Sequence, residues 1–563
     1  MFDFDNKTDE QIVSMVLGHY NHAKQKRLVF EPLWETLNKI FMPRRYDFLQ
    51  NDRRGKQYGA KVYSGHPAIA LNKCALGTLN YLASKSTPWL AFGASNQRTM
   101  ANDEVKKYFQ ECAEQVLWSF NKSSFFSSSI WFTKDGFCTG TAASVPEHDF
   151  VRDRVVYKTM HPSQCFVEDD DFGNPCAFFR PFKRTAIQLY QLAGKNKLPD
   201  EIVAAAEGRD GSKNPFSEYD VLMAVYRNKN YAEKGESLLP EDGPNKIFFI
   251  LLHAKEKNKQ LIVKSGIDYF PLIWRMGKEP DHSYGTSLAA DALTLALIDN
   301  KLAEKGLQAV HMAIEPPTIA PATLRGRVRL NPGGRTWTNS PEERVETLME
   351  RLNWPMSDAQ MERIYNQIND VFFIRFFELL SQGDLPQITA YQVRQMMGEK
   401  AVLMSSISES FEEDYLNGAV DAQWAYETKA GRMPKAPDIL YDPEYSNGKI
   451  DVNYIGPLAQ LQKSLLKSKG IIDGLEVIKL IQSIWPQSVI KINEMQLIEE
   501  AGIAQGMQQS LFKSDEEIGA ILAEQRQKDE QSEMVEQGTQ VAKALPAAGQ
   551  EIQPNSPLSL MGL

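Results

Sequence analysis

The chain has 563 residues, of which 42% are hydrophobic and 24% charged, and its formal net charge is −9. This balance excludes a mainly disordered chain, a collagen and a disulfide-stapled mini-protein, and at roughly 100–200 residues per domain it allows three to five compact units. It also argues against a general nucleic-acid binder, which gains affinity by neutralising phosphates and is usually basic.

The start, Met1-Phe2-Asp3-Phe4-Asp5, lacks the basic-then-apolar order of a signal peptide. Thr8 and Gln11 form a capping box, which predicts a helix running to about Ile40. Further helices are expected over about His66 to Ser84 and Asn102 to Phe120. From there to about 275 the pattern turns β-rich, with Val155-Val156-Tyr157, Ala177-Phe178-Phe179 and Tyr219 to Arg227 as strands and a helix over Thr185 to Leu192. Ser287 to Ile314 contains no proline and predicts a helix roughly 40 Å long. It stops at Pro316-Pro317. A small hairpin follows, in which Arg327 to Leu330 and Arg335 to Thr338 flank Asn331-Pro332-Gly333-Gly334.

Ser357 and Gln360 form another capping box and open a helix of about 35 Å reaching Leu380. Ser381 to Gln387 breaks it, and Thr389 with Gln392 opens a helix to about Lys429, with a bend expected near Gly398 or Gly418. Asp451 to Tyr454 reads as a strand, and 457–509 as short helices. Beyond Lys513, Glu, Gln, Lys and Ala dominate; beyond Leu545, Pro, Gln and Ser favour a mobile tail. No apolar run approaches bilayer length. The fold class is α+β and helix-rich.

Chemistry is sparse. Cys74, Cys112, Cys138, Cys165 and Cys176 form no C-x-x-C pair, so they read as reduced thiols of a cytosolic compartment. No phosphate-binding G-x-x-x-x-G-K-[ST] loop, H-E-x-x-H motif or nucleophile elbow occurs. His161 and Cys165 are separated by Pro162, which argues against a shared ligand face. Glu168-Asp169-Asp170-Asp171 invites a carboxylate-metal nuclease reading, but consecutive side chains alternate faces and a solvated hairpin turn fits better. Arg325, Arg327, Arg329 and Arg335 beside Trp337 fit either a contact surface for an acidic partner or DNA, or a charged edge that resists aggregation. Strand alternation puts the first three on one face. The loop around Gln382, Asp384 and Gln387 is either a plain connector or a positioned protrusion. Catalytic, metal and cofactor residues are expected to be absent.

Several pieces, in order, carry a resemblance: Pro88 to Phe92, Asp135 to Thr141, Glu168 to Gly173 with Arg180, Pro271 to Arg275, Ser283-Tyr284-Gly285, Pro316-Pro317, Ile388-Thr389-Ala390, Gly431 to Pro434 and Tyr454 to Gln460. Over about 30–465 the chain resembles the portal, or head-to-tail connector, proteins of short-tailed bacteriophages. Isoleucine precedes Trp274 where that family often has arginine, and the tail has no clear counterpart.

The resemblance implies a homododecameric ring at one capsid vertex of the virion, assembled in the host cytoplasm, with a central channel for double-stranded DNA. The implied partners are the major capsid and scaffolding proteins, the terminase large subunit and tail adaptor proteins, with no membrane. The implied parts are a wing (1–286), stem helix (287–314), clip (315–356), stem helix (357–380), tunnel loop (381–389), wing helix and strand (390–456), crown (457–512) and C-terminal helix or mobile tail (513–563). Gln382, Asp384 and Gln387 would line the tunnel loop; the arginines and Trp337 would dock partners at the clip. A twelve-fold ring would carry roughly −100 in charge, compatible with DNA that slides rather than binds. A carboxylate-metal nuclease and a virion adaptor that forms no ring are the alternatives.

Overall fold

The computed structural model describes residues 7–45, 61–208, 214–228, 243–252, 260–314, 317–326, 354–381, 403–441 and 450–458, apart from a few single positions, together with Phe4 and short pieces between 328 and 347. Helix α1 (Asp9–Leu28) starts at the Thr8 capping box, whose two reciprocal bonds are 3.1 and 3.4 Å long. The single helix expected to Ile40 is two. Helix α2 (Glu31–Phe41) begins afresh at Phe30 because Pro32, in its first turn, can neither donate to a preceding turn nor fit beneath one. Helices α3 (His66–Leu82), α4 (Gln97–Met100) and α5 (Asp103–Lys122) follow, the last capped by the Asn102 side chain on the Glu104 amide at 2.9 Å.

Helix α6 (Phe125–Thr139) lies where the sequence read as strand-rich. Its Phe, Ser and Thr residues have modest helix propensity, but burial and local bonds overrule it. The hydroxyls of Ser129, Thr133 and Thr139 each donate to the carbonyl four residues earlier. Gly140, at φ +76°, ends the helix.

Two antiparallel sheets follow. One has order β3-β2-β9, formed by β2 (Thr141–Asp149), β3 (Arg154–Met160) and β9 (Leu272–Arg275). The other runs in sequence through β4 (Phe166–Asp169), β5 (Pro175–Thr185), β6 (Glu218–Arg227), β7 (Asn245–Leu251) and β8 (Gln260–Ile267). Alternation along β6 sends Leu222, Ala224 and Tyr226 into a core with α1, while Val221 packs with α7 (Ala186–Ala193) and α8 (Asp200–Glu207). A short pair joins β1 (Leu90–Ala94) to β12 (Ile450–Tyr454).

Ser287 caps α9 (Leu288–Asp291) through the Ala290 amide at 3.0 Å, and α10 (Leu293–Ile314) continues it. The return helices are α11 (Trp354–Val371) and α12 (Ile374–Ser381). The expected start at Ser357 therefore falls inside α11. The expected single helix is interrupted at Phe373, which adopts φ +54° while the neighbouring Phe372 is fully buried against Phe41. Strands β10 (Thr318–Ile319) and β11 (Glu346–Thr347) pair between α10 and α11.

After residue 402 come α13 (Ser405–Phe411), a π-turn (Glu412–Leu416) and α14 (Asn417–Lys429). The bend expected near Gly418 is thus a widened turn just before it. The capping box at Thr389, the possible bend at Gly398, the helices expected from 459 onwards and the C-terminal tail lie outside the described residues.

Candidate docking and channel segments

The sequence pieces scattered between 135 and 285 meet at one place. A Cβ on Gly136 would fall 2.3 Å from the Trp274 ring. One on Gly140 would fall 2.3 Å from the Gly285 carbonyl oxygen, so only glycine admits this approach. The Thr141 hydroxyl accepts from the Gly285 amide at 3.0 Å, and the Met276 amide donates to the Gly140 carbonyl at 2.9 Å. Trp274 itself is fully buried, and its Nε1 donates to Ser410 Oγ at 3.1 Å. The Arg275 amide donates to Asp414 in the π-turn at 3.2 Å.

The acidic hairpin joins this knot by charge. Arg275 Nη1 lies 2.7 Å and Lys278 Nζ 2.9 Å from the Asp169 carboxylate, and Arg275 Nη2 donates to the Gly173 carbonyl at 3.1 Å. Glu168, on the opposite face, is 2.6 Å from Lys26 and 3.0 Å from His22. The turn itself closes on Asp170, whose side chain accepts from the Phe172 and Asn174 amides. The solvated-turn expectation therefore holds for Asp170, Asp171 and Phe172 and is corrected for Glu168 and Asp169, which are ion-paired at the base. No described group of three or more His, Cys, Asp and Glu side chains is placed to hold a metal ion.

His161 and Cys165 have structural partners. The His161 ring nitrogens lie 2.9 Å from the Arg45 carbonyl oxygen and 2.7 Å from the Ser163 hydroxyl. Burial, then the nearby Arg45 charge, pushes this imidazole down to about 4. Cys165 donates to the His161 carbonyl at 3.3 Å. All five cysteines are buried and unpaired in disulfides.

The other pieces pair elsewhere. The piece Pro88 to Phe92 meets the one that starts at Tyr454: Leu90 pairs with Tyr454 in the β1–β12 register, the Ile455 amide donates to the Trp89 carbonyl at 2.9 Å, and the Trp89 and Tyr454 rings stack at 6.2 Å. Gly431, at φ +69°, follows α14, and Arg432 turns back to hold the fully buried Glu427 at 2.7 and 2.8 Å and Asp153 at 2.7 Å. Burial raises the Glu427 carboxyl, but bonds from Arg432, Ser119 and Gln115 outweigh it and hold it low.

Four of the five basic or aromatic hairpin positions are described. Arg325, Arg329, Arg335 and Trp337 are exposed, Trp337 by 82%. The Arg329 amide donates to the Thr336 hydroxyl at 3.0 Å, linking the two arms. The alternation expected from Arg325 onward is corrected. Arg325 ends a short 3₁₀ turn anchored by buried Leu324, and Gly326 at φ +76° redirects the chain. Arg327, Gln382, Asp384 and Gln387 lie outside the described residues.

Helix α10 has an uneven face. Ala292, Ala296 and Asp299 are buried, yet Leu307, Val310 and Ile314, which continue that face at helical spacing, are exposed by 50%, 38% and 72%. Sequence periodicity could not show this, because it marks an apolar face without saying where its cover ends. Among the described residues no helix is long and apolar enough to cross a membrane.

The family of bacteriophage head to tail connecting proteins matches residues 14–512. The chain is also similar to the portal protein of Salmonella phage epsilon15, 21% identical over 97% of each chain. It is similar to the probable portal protein of Bordetella phage BPP-1, 20% identical over 94% of this chain and 95% of the relative. The chain belongs to the head-to-tail connecting family, the portal proteins of bacteriophages. A head-to-tail connector is a component of the virion.

Proposed function

We propose that this protein is a structural conduit: a dodecameric ring at one capsid vertex through which double-stranded DNA is packaged and ejected. The observation that carries the reading is the α10 face, covered at Ala292 and Ala296 and bare at Leu307, Val310 and Ile314. Burying one such aliphatic side chain stabilises by about 1.5–3 kcal/mol, and a neighbouring copy in a ring supplies the cover repeatedly. In this reading 287–314 and 357–380 are the stem, and 315–356 the clip.

Arg325, Arg327, Arg329, Arg335 and Trp337 then dock the terminase large subunit during filling and tail adaptor proteins afterwards. Gln382, Asp384 and Gln387 form rings at the tunnel constriction. The ring also meets the major capsid and scaffolding proteins, and assembly takes place in the host cytoplasm. The motor supplies ATP hydrolysis, so the chain itself needs no cofactor and no catalytic residue. Native mass spectrometry with electron microscopy of the purified protein tests the reading. Closed rings with a central channel are expected; compact monomers alone at every concentration would overturn it.

A further inference from the structure

Asp299 lies in the second turn of α10, fully buried, and neither carboxylate oxygen has a hydrogen-bond partner among the described residues. Its surroundings come from two other elements. His66 opens α3 and Tyr365 sits on α11; their rings stack with centroids 4.1 Å apart. The His66 Nε2 is also buried without a hydrogen-bond partner among the described residues. The next residue, Asn300, clamps the chain leading into α3. Its Oδ1 accepts from the Tyr63 and Ser64 amides at 2.6 and 3.4 Å, and its Nδ2 donates to the Lys61 carbonyl at 3.1 Å. One position of α10 therefore grips 61–64, while the position before it sets an unsatisfied carboxyl next to Ser64 and His66.

A buried carboxylate without partners costs several times more when ionised than when neutral. Burial accordingly pushes Asp299 above the ordinary carboxylate range, against smaller pulls from the Ser64 hydroxyl and the His66 ring. His66 and Tyr365 are the titratable groups facing it from α3 and α11, and burial pushes the Tyr365 phenol up as well. On α10 itself, Lys301 is engaged by Glu304 at 2.7 Å. Burial outweighs the little that Ser64 and His66 contribute to a negative charge on Asp299, whereas asparagine would be neutral at every pH.

We infer that Asp299, His66 and Tyr365 form a proton-linked joint between α10 and the 61–66 segment, closed while Asp299 is protonated and loosened when it ionises. The Asn300 clamp supplies the part of the joint that does not depend on pH. The joint sits just before the uncovered part of the α10 face, so its loosening changes how that face is held. That use rests on the portal reading; the joint does not.

Amide hydrogen exchange of the full-length protein between pH 4 and 8, corrected for intrinsic chemistry, tests it. Linkage to one proton predicts that opening of 61–66 rises about tenfold per pH unit from the ordinary aspartate value up to the point at which Asp299 ionises in place, then levels off. Asp299→Asn and Asp299→Leu should both abolish the rise. Asn300→Ala should speed exchange at every pH and keep it. A flat wild-type profile at 61–66 overturns the joint without any variant, as does the same rise in Asp299→Asn. Neither readout depends on whether rings form, so failure here is separable from failure of the portal reading.

Discussion

Gly136 and Trp274 occupy one space: the indole lies where any side chain at position 136 would begin, 2.3 Å from the Cβ position. The contact joins α6 to β9, elements separated in sequence by the entire five-stranded sheet. Gly136→Ala should destabilise by about 1–3 kcal/mol, the cost of overpacking a filled core. Trp274→Ala should cost about 3–5 kcal/mol through the cavity it leaves. Urea unfolding of the two variants and their double mutant measures both. Additive losses would show that the residues do not share this contact.

Asp169 and Asp171 differ sharply although they are two residues apart. Arg275, whose side chain is 5% exposed, has its carboxylate partner in Asp169. Asp169→Ala should therefore destabilise by about 3–5 kcal/mol, because a buried guanidinium loses its counter-ion. Asp171→Ala, at the exposed turn, should stay within about 0.5 kcal/mol. Thermal melts separate them. Equal effects would overturn this distinction, and magnesium-dependent turnover lost in both would favour the nuclease alternative.

Asp135 provides a pH test. Its side chain is buried beside Arg45, whose Nη2 is 3.0 Å away. Burial outweighs the attraction of Arg45 and Lys134 and pushes the carboxyl up to about 7. The folded state then holds a proton that the unfolded chain, titrating near 3.8, has released. This contribution is present at low pH and is lost as pH rises from about 3.8 through about 7. Asp135→Asn should remove a slope of at most about 1.4 kcal/mol per pH unit and be the more stable form at pH 8. Urea titrations across the window check the sign.

Leu307→Asp and Val310→Asp test the open part of α10. Both side chains are exposed in the protomer, so each change should move protomer stability by less than about 0.5 kcal/mol while abolishing ring assembly. Native mass spectrometry and circular dichroism on the same samples read the two effects apart. Intact rings would show that this face is not the contact.

Deleting Gln382 to Gln387 should leave rings intact and impair DNA packaging or retention, measured by complementation of a portal-deficient phage. Loss of the ring itself would show that the segment is structural.

How far the sequence could be read depended on how local each signal was. The Thr8–Gln11 box acts over three residues and the Asn102 cap over two, and the helices start where those residues say. The α6 helix was hidden because its stability comes from burying Phe125, Phe132 and Phe137, which sequence cannot place. Asp169 read as half of a solvated turn because its partners, Arg275 and Lys278, arrive from far along the chain. The arginine alternation failed at Gly326, where positive φ ends any strand period. The motif pieces were visible as words, but their convergence on Gly136, Gly140 and Gly285 is a property of three-dimensional approach.

The β1–β12 pair has a consequence for synthesis. Leu90 finds its partner Tyr454 only after nearly all of the body has left the ribosome, and contacts of such sequence separation close late. Until then Trp89 has its stack on Phe125 but not the one on Tyr454, and the large core stays open at that edge. The bare α10 residues emerge well before the pair can close, so during translation the growing chain presents an adhesive helix on an unfinished protomer.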